Sequence, residues 1–228
     1  MTRFGVQERL QGPYIFESDD QFAHPFITIA REPGSGGAPI ARAVAKKLGF
    51  ECIDEQLIDD IAHSIKKRKA IIKQIDERSR TRMEDIVHSL LNPDYIDDLK
   101  YMTELTKVIL TYAHKGQVVI VGRGGNFVTP FGKGLHVNIT APYGVRVERA
   151  MEYEGFNREK AEQVIADTEK ERKNFVKQYL QRDPSKINSY DMTLNTTFFK
   201  VDDARDLIIE TFYHKFPRLQ RYMAIFKK

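Results

Sequence analysis

The stretch Phe26-Ile-Thr-Ile-Ala-Arg-Glu-Pro-Gly-Ser-Gly-Gly37 decides the fold. Its first five residues are apolar or β-branched, and this pattern predicts a short buried strand. Three glycines follow within four residues. The segment from Pro39 to Leu48 is then typical of a helix, because Pro39 suits the first turn and Gly49 suits the position beyond the end. A strand, a glycine-rich turn and a helix in this order can aim backbone N–H groups at one anion.

Working outward from this stretch, apolar segments alternate with amphipathic ones. We predict further strands over residues 50–53, 118–121, 135–140 and 192–195, with helices between them. Strands without polar alternation indicate a parallel β-sheet flanked by helices on both faces, which is an α/β fold. A surface arm is expected over residues 1–25, followed by a single α/β domain over residues 26–228. The helix-only stretch of about 54–114 breaks the alternation and is the predicted place of a helical insertion.

The overall composition is that of an ordinary globular protein, with 41% hydrophobic and 30% charged residues in a chain of 228. No apolar run approaches the length of a membrane span or has signal-peptide character, so we expect a cytoplasmic protein without membrane contact. The single cysteine, Cys52, excludes an internal disulfide and is expected to be a small buried side chain. The six histidines lack the spacing of metal ligands, so no protein-built metal site is expected.

Positive charge is concentrated in one segment. Residues 66–82 hold eight basic and two acidic side chains, a net charge of +6, whereas the whole chain carries +4, so the remainder carries −2. Such a segment is either a solvated face or a surface for an anionic partner. An RNA- or polyanion-binding module is therefore one hypothesis, although the segment lacks interleaved aromatic residues for base stacking.

The glycine-rich turn departs from the phosphate-binding pattern G-x-x-x-x-G-K-[ST]. Gly37 stands in the place of the lysine, and Ala38 and Pro39 stand where the Mg²⁺-binding hydroxyl belongs. Arg31 and Arg42 are the candidates to supply the missing charge. Two alternatives remain: a tight turn without a ligand, and a nucleophile elbow at Ser35. The elbow is disfavoured because Pro33 occupies the position of its first glycine.

Several arginines are candidate phosphate ligands, because phosphoryl transfer mainly requires positioning and charge neutralisation. Arg123 follows the predicted strand 118–121, at the sheet edge where α/β proteins bind ligands. Arg172 lies on a helix rich in both charges, so it is either a ligand or one partner of a surface ion pair. Arg146 and Arg149 share a helix face, and one of them is expected to be structural. Asp54 is either a helix cap or a ligand-binding carboxylate.

Five blocks carry a resemblance to a known family. They are Ile27-Thr-Ile-Ala-Arg-Glu-Pro-Gly-Ser-Gly-Gly37 with the segments 41–48 and 52–58, Val119-Ile-Val-Gly-Arg-Gly-Gly-Asn126, Val145-Arg-Val-Glu-Arg149, Glu169-Lys-Glu-Arg172, and Tyr190-Asp-Met-Thr-Leu-Asn-Thr196. In this order they resemble the cytidylate kinase-like family, which are divergent nucleoside monophosphate kinases of the P-loop superfamily. The resemblance spans residues 26–209.

The resemblance implies transfer of a phosphoryl group from ATP, bound with Mg²⁺, to CMP or a similar acceptor. Residues Gly34, Ser35, Gly36 and Gly37 would hold the donor phosphates. Arg123 would contact the acceptor phosphate, and Arg172 would belong to a lid-like helical region over about 156–186. Asp54 would lie near the acceptor, and Asp191 near the acceptor base or the lid. Arg42, one turn beyond Ala38, would partly substitute for the missing side chains, and Mg²⁺ would be held mainly by phosphates and water.

Three hypotheses therefore remain: an active kinase, a nucleotide-binding regulator that has lost catalysis, and a polyanion-binding module. The partner in the first two is a nucleotide. Self-association into a homo-oligomer is left open, because the basic segment and the aromatic C-terminal tail could serve it or pack on the core.

Overall fold

A computed structural model describes residues 24–64, 67, 96–217 and 219. The predicted arm over residues 1–25 and the basic segment 66–82 lie almost wholly outside the described residues. Predictions about them, including polyanion binding, stay predictions. The predicted insertion is described only at its two ends, where helices lie.

Five strands form one sheet in which every neighbouring pair is parallel. They are β1 (Phe26–Arg31), β2 (Glu51–Ile53), β3 (Val118–Val121), β4 (Gly134–Thr140) and β5 (Met192–Asn195). Their order across the sheet is β2-β3-β1-β4-β5. The predicted α/β fold with a parallel sheet is therefore confirmed, and β1, which carries the glycine-rich turn, is the central strand.

Seven α-helices connect and cover the strands in the described part of the chain. They are α1 (Gly37–Leu48), α2 (Glu55–His63), α3 (Ile96–Lys115), α4 (Gly125–Val128), α5 (Tyr143–Glu154), α6 (Arg158–Leu180) and α7 (Val201–Lys215). A single 3₁₀ turn, Ile187–Ser189, precedes β5. None of the helices described here has the length and apolar character needed to cross a membrane.

The two faces of the sheet are buried by different helices because successive strand residues point to opposite sides. On one face, Phe26, Val118 and Ile120 pack against α2 and α3. On the other, Ile27, Ile29 and Val119 pack against α1 and α7. Burial on both sides explains why the strands are almost continuous apolar runs. Because apolar helices cover both faces of the sheet, the polar residues of a ligand site are expected at its carboxyl edge.

Helix boundaries agree with their local chemistry. The long helix α6 begins directly after Asn157, because Asn157 Oδ1 accepts a hydrogen bond from the Lys160 amide at 2.8 Å. The last helix begins at Val201 after the cap residue Lys200, so Asp202 and Asp203 lie in its first turn. The short helix α4 was not predicted, because the sequence Gly125-Asn-Phe-Val128 is too brief to show helical periodicity.

Candidate functional site

A cavity of about 350 Å³ lies at the carboxyl edge of the sheet. Its walls are the ends of β1 and β4, the glycine-rich segment after β3, helix α6 and the segment before β5. Its charged lining residues are Arg31, Glu32, Glu55, Arg123, Glu169, Arg172 and Lys173. Parallel strands gather their following loops at this edge, which is where α/β folds bind ligands.

The glycine-rich turn leads from β1 into α1 beside this cavity. Gly34 and Gly36 have φ values of +76° and +82°, a left-handed conformation that favours glycine. The Ser35 amide donates to Glu32 O at 3.3 Å, whereas the amides of Gly36 and Gly37 have no hydrogen-bond partner among the described residues. These free N–H groups stand at the positive end of the α1 dipole, so the turn can accept an anion.

Ser35 is fully buried, and its side chain cannot act as a nucleophile. The hydroxyl donates a hydrogen bond to the Glu32 carbonyl at 2.8 Å, and the residue has 0% exposure. This agrees with rejecting the nucleophile elbow on sequence grounds. What Ser35 contributes to the turn is its backbone.

Arg146 and Arg149, both on α5, contact the glycine-rich turn and fix its position. Arg146, 5% exposed, donates from Nε to Ala141 O at 3.0 Å, and its Cβ packs so closely on Gly34 that a side chain there would collide with it. Arg149 donates to Ser35 O at 3.3 Å and to Thr196 O at 2.7 Å. Both arginines are therefore tied to main-chain carbonyls, although only one was expected to be structural.

Two arginines converge on one carboxylate inside the cavity. Nη2 of Arg31 lies 2.6 Å, and Nη2 of Arg172 lies 3.0 Å, from Oε1 of Glu55. Burial by itself would raise the pKa of Glu55, but attraction to Arg31 and Arg172 outweighs it and lowers that pKa below its usual value. The carboxylate therefore stays ionised, and it occupies a position that an anionic ligand could also contact.

Arg123 is anchored by a second carboxylate on the same helix. Its Nε donates to Asp59 Oδ1 at 2.9 Å, its Nη2 also contacts Asp59, and Tyr101 donates to Asp59 Oδ1 at 2.8 Å. Burial acts to lower the pKa of Arg123, but its bonds to Asp59 raise it. Its guanidinium carbon also lies 5.1 Å from the ring centre of Phe175 on α6. Arg123 is thus a fixed cation in contact with both α2 and α6.

Helix α6 is held over the cavity by ion pairs at two of its residues. Glu169 accepts from Arg146 Nη1 at 2.9 Å, and Arg172 pairs with Glu55 and also donates to Arg31 O at 3.4 Å. Both pairs are partly exposed, so each contributes modestly to stability. They nevertheless bring a helix predicted to be lid-like into contact with α5, α2 and the end of β1.

The other residues that line the cavity are uncharged, and several of them are polar or aromatic. They include Asn126, Phe127, Asn138, Tyr190 and Thr193. Burial and the nearby charge of Asp183 raise the pKa of Tyr190 to about 12, so its hydroxyl is neutral at physiological pH. These residues can hold a neutral polar group, with amides and hydroxyls for hydrogen bonding and rings for stacking.

Seven of the ten candidate residues lie outside the cavity lining: Gly34, Ser35, Gly36 and Gly37, which follow the lining residue Pro33 in the chain, and Arg42, Asp54 and Asp191. Arg42 is exposed on α1 and has no hydrogen bond or ion pair with any described residue. Asp54 caps α2, because its Oδ1 accepts from the Leu57 amide at 3.0 Å. Asp191 precedes β5 and pairs with Lys215 at 2.6 Å. Its backbone amide bonds to His136 O, in the first half of β4, so it lies toward the amino edge of the sheet while the cavity opens at the carboxyl edge.

The carboxylates Glu55 and Asp59 were missed by the sequence analysis. They lie four residues apart on α2 and therefore share one helix face. Their position could have been predicted, because the helix that follows a parallel strand begins at the carboxyl edge of the sheet. Two carboxylates four residues apart at the start of that helix would therefore face the site. The partnership of Glu169 with Arg146 had no such signal, because α6 contains many similar carboxylates.

A divalent cation would find few protein ligands here. Pro39 offers no hydroxyl, and the Ser35 hydroxyl is turned inward. The described residues contain no group of three or more His, Cys, Asp or Glu side chains arranged to hold a metal. The side chains present fit a Mg²⁺ ion only as a companion of phosphates, held by their oxygens and by water.

The sequence profile described as the cytidylate kinase-like family matches residues 26–198. The chain belongs to this family. The matched range begins at β1 and extends beyond β5, so it contains both glycine-rich segments, α2 and α6.

Comparison with individual proteins agrees with membership of the cytidylate kinase-like family. A cytidylate kinase of Methanopyrus kandleri is 27% identical over 191 residues, which cover 80% of this chain and 90% of that protein. A uronate isomerase of Corynebacterium glutamicum is 28% identical over 118 residues, but the match covers 52% of this chain and only 23% of that protein. Among solved structures, an uncharacterized protein of Eubacterium ventriosum has the same fold, with a TM-score of 0.63, 22% identity and coverage of 83% and 98%.

Proposed function

We propose that this chain transfers a phosphoryl group from a nucleoside triphosphate to a nucleoside monophosphate such as CMP. The observation that carries the proposal is the meeting of Arg31, Arg123 and Arg172 in one cavity beside a glycine-rich turn with unpartnered amides. Membership of the cytidylate kinase-like family supports the reaction class. The named function of the Methanopyrus kandleri relative supports the choice of acceptor.

The reaction needs little covalent help from the protein. An oxygen of the acceptor's ionised phosphate forms a new bond to the γ-phosphorus as the bond from that phosphorus to the β-phosphate oxygen breaks, which yields a nucleoside diphosphate and ADP. The second pKa of a phosphate monoester is about 6, so no side chain has to remove a proton at neutral pH. The protein therefore acts by positioning and by neutralising charge.

The cavity and the adjoining glycine-rich turn offer groups for these two tasks. The backbone amides of Gly36 and Gly37 would bind the donor phosphates. Arg123, fixed by Asp59, would bind the acceptor phosphate through the N–H donors that Asp59 does not use. Arg172 approaches from α6, so movement of that helix would bring charge to the phosphates and exclude water. Mg²⁺, when bound with the nucleotide, supplies further neutralisation.

The uncharged residues of the cavity support an acceptor with a neutral polar ring. A nucleobase could stack near Phe127 and Tyr190 and form hydrogen bonds with Asn138 and Thr193. The side chains of Asn138 and Thr193 have no hydrogen-bond partner among the described residues, and they lie side by side on β4 and β5. They are therefore available to a ligand.

A second candidate function is nucleotide binding without catalysis. It is favoured by Gly37, Ala38 and Pro39, which remove the usual lysine and hydroxyl from the turn. It is also favoured by Glu55 and Asp59, which already neutralise the arginines of the cavity. In such a protein, nucleotide binding would alter the position of α6 without turnover.

The experiment that separates the two is a turnover panel. ADP release by the full chain is measured with MgATP and each of CMP, UMP, AMP, GMP and dCMP, beside ATP-induced thermal stabilisation. The proposal predicts acceptor-dependent ADP release, highest with a pyrimidine monophosphate. Stabilisation by ATP with no acceptor-dependent release would favour the regulator, and the absence of both would remove both candidates.

A further inference from the structure

Gly37 stands where the phosphate-binding pattern has a lysine. The space that a side chain at this position would need is already occupied by Arg31. An ideal Cβ built on Gly37 would lie 2.5 Å from Cβ and 2.8 Å from Cγ of Arg31. These are contacts with the base of the arginine, which cannot swing away as a flexible tip would. A lysine at residue 37 and the arginine at residue 31 therefore exclude each other.

The side chain of Arg31 continues from this point across the cavity. Its guanidinium lies against Gly122, at the start of the segment after β3, where a side chain would collide with Nη1. Arg31 thus spans the gap between the two glycine-rich segments, and its side chain is only 9% exposed. The donor phosphates are expected beside the first segment and the acceptor beside the second, so the guanidinium lies between the two reactants.

We propose that Arg31 replaces the missing lysine of the turn as the cation that neutralises the phosphoryl group in transit. This inference rests on the proposed function. The charge comes from the end of the preceding strand and not from the first turn of α1. Glycine at residue 37 then follows from the position of Arg31 and is not a loss of function.

The charge of Arg31 survives its burial. Desolvation and repulsion by Arg172 lower the pKa of Arg31, while Glu55 opposes the change. A guanidinium starts from so high a pKa that it stays protonated at neutral pH. Its planar donors can also bridge oxygens of two phosphates, which a point-like ammonium group does less well. Glu55 holds this plane in a fixed orientation at 2.6 Å.

Arg42 is the competing source of charge, and the contacts favour Arg31. Arg42 is exposed, does not line the cavity and contacts no carboxylate in the described residues. It lies close enough to Cys52 to act on that thiol's pKa, which burial and Asp54 raise and Arg42 lowers. Cys52 is on β2, the edge strand two positions from β1. Arg42 thus acts on a residue of this edge strand and does not line the cavity.

A charge-relocation experiment tests this directly. The variants are Arg31→Ala, Gly37→Lys, Arg42→Ala and the double variant Arg31→Gly/Gly37→Lys, with Arg158→Ala as a matched control on an exposed arginine. The double variant uses glycine at residue 31 because alanine would keep the Cβ that lies 2.5 Å from a Cβ at residue 37. For each, we measure the melting temperature without ligand, the dissociation constants of MgATP and of tripolyphosphate, and turnover with the best acceptor.

We expect Gly37→Lys alone to melt at a lower temperature than wild type, because its Cβ collides with Arg31. Arg31→Ala should bind MgATP and tripolyphosphate at least tenfold more weakly. The double variant should recover at least half of the melting temperature that Gly37→Lys loses. Its affinity for MgATP and for tripolyphosphate should be at least tenfold higher than that of Arg31→Ala. Arg42→Ala and Arg158→Ala should bind tripolyphosphate within about twofold of each other.

Several results would overturn the inference. One is a double variant no better than the worse single variant, and another is unchanged tripolyphosphate affinity in Arg31→Ala. A large loss in Arg42→Ala alone would reassign the charge to Arg42. If Arg31→Ala does not fold, Arg31→Met keeps the packing without the charge and carries the same expectation. Binding and melting do not require turnover, so a chain that follows the expected pattern but phosphorylates no acceptor refutes the proposed function and leaves the role of Arg31 in binding intact.

Discussion

The guanidinium of Arg123 is paired with the carboxylate of Asp59 through two nitrogen atoms, Nε and Nη2. The arginine follows β3 and the aspartate lies on α2, so the pair joins two segments that are 64 residues apart in sequence. It uses two of the five N–H donors of the arginine and leaves the others for a ligand. The backbone of Arg123 has a φ of +48°, so the chain adopts a conformation rare outside glycine to present this side chain.

Arg123→Ala should abolish tight binding of the acceptor while the fold survives. Loss of a charge-assisted, partly buried contact to phosphate costs about 3 kcal/mol, or roughly a hundredfold in affinity. Titration of CMP by calorimetry measures it, with circular dichroism as the check on folding. Arg123→Lys is the matched control and should recover only part of the affinity, because lysine lacks the bidentate fork. Unchanged acceptor affinity in Arg123→Ala would refute its placement in the acceptor site.

Asp59→Asn should act through the orientation of Arg123 and not through direct contact with substrate. We expect KM for the acceptor to rise about tenfold with a smaller change in kcat, because the arginine remains present but less fixed. Steady-state kinetics with varied acceptor at saturating MgATP measures the two constants separately. An equal loss in kcat with no change in KM would mean that Asp59 takes part in the transition state.

Glu55→Gln should leave Arg31 and Arg172 close together without a neutralising charge. The free energy of unfolding should fall by about 1–3 kcal/mol. Added pyrophosphate should raise the melting temperature of the variant by more than that of wild type, because the anion replaces the lost carboxylate. Glu162→Gln, at an exposed pair with Arg158, is the control and should show neither effect. Equal stabilisation by pyrophosphate in wild type and Glu55→Gln would show that Glu55 and phosphate do not share a site.

A buried histidine predicts how stability depends on pH. His136 is 0% exposed and bonded to Thr28 Oγ1 at 2.6 Å, and burial together with Lys215 lowers its pKa from 6.5 to about 3. Below pH 6.5 the unfolded chain binds a proton at this residue that the folded chain does not, so stability falls as pH falls. The contribution is about 1.4 kcal/mol per pH unit and ends near the folded-state pKa.

Denaturant titrations between pH 7 and pH 4 measure this slope. In His136→Asn, the free energy of unfolding should depend less steeply on pH, by about 1.4 kcal/mol per pH unit, because asparagine does not bind the proton that His136 binds on unfolding. Carboxylates that titrate in the same range contribute equally to both proteins and cancel in the comparison. Identical slopes would mean that His136 is protonated in the folded state.

Much of this architecture was predictable because it depends on local patterns. The strand from Phe26, the apolar run at 118–121 and the cap at Asn157 are set by residues within a few positions of each other, and the parallel sheet follows from their alternation. The location of the site at the carboxyl edge of the sheet was also predictable, because the glycine-rich segments after the neighbouring parallel strands β1 and β3 must lie at that edge. Arg31 and Arg123 were singled out on these grounds and Arg172 through the family resemblance, and all three line the cavity.

The partners of these arginines were not predictable in the same way. Contacts such as Arg172 with Glu55 join residues 117 positions apart, and no local pattern selects one carboxylate among many. Asp191 illustrates the opposite situation, a residue that the resemblance selects but that does not line the cavity. Its block resembles the family's, yet its side chain is paired with Lys215, which only the packing of α7 against the sheet brings near.

The most direct test of the central claim is to identify the products of MgATP and CMP with the full chain by ³¹P NMR. We expect CDP and ADP to appear in equal amounts, neither to form without CMP, and Arg123→Ala to form neither at a comparable rate. Formation of ADP with inorganic phosphate instead of CDP, or no consumption of ATP with any nucleoside monophosphate, would contradict it.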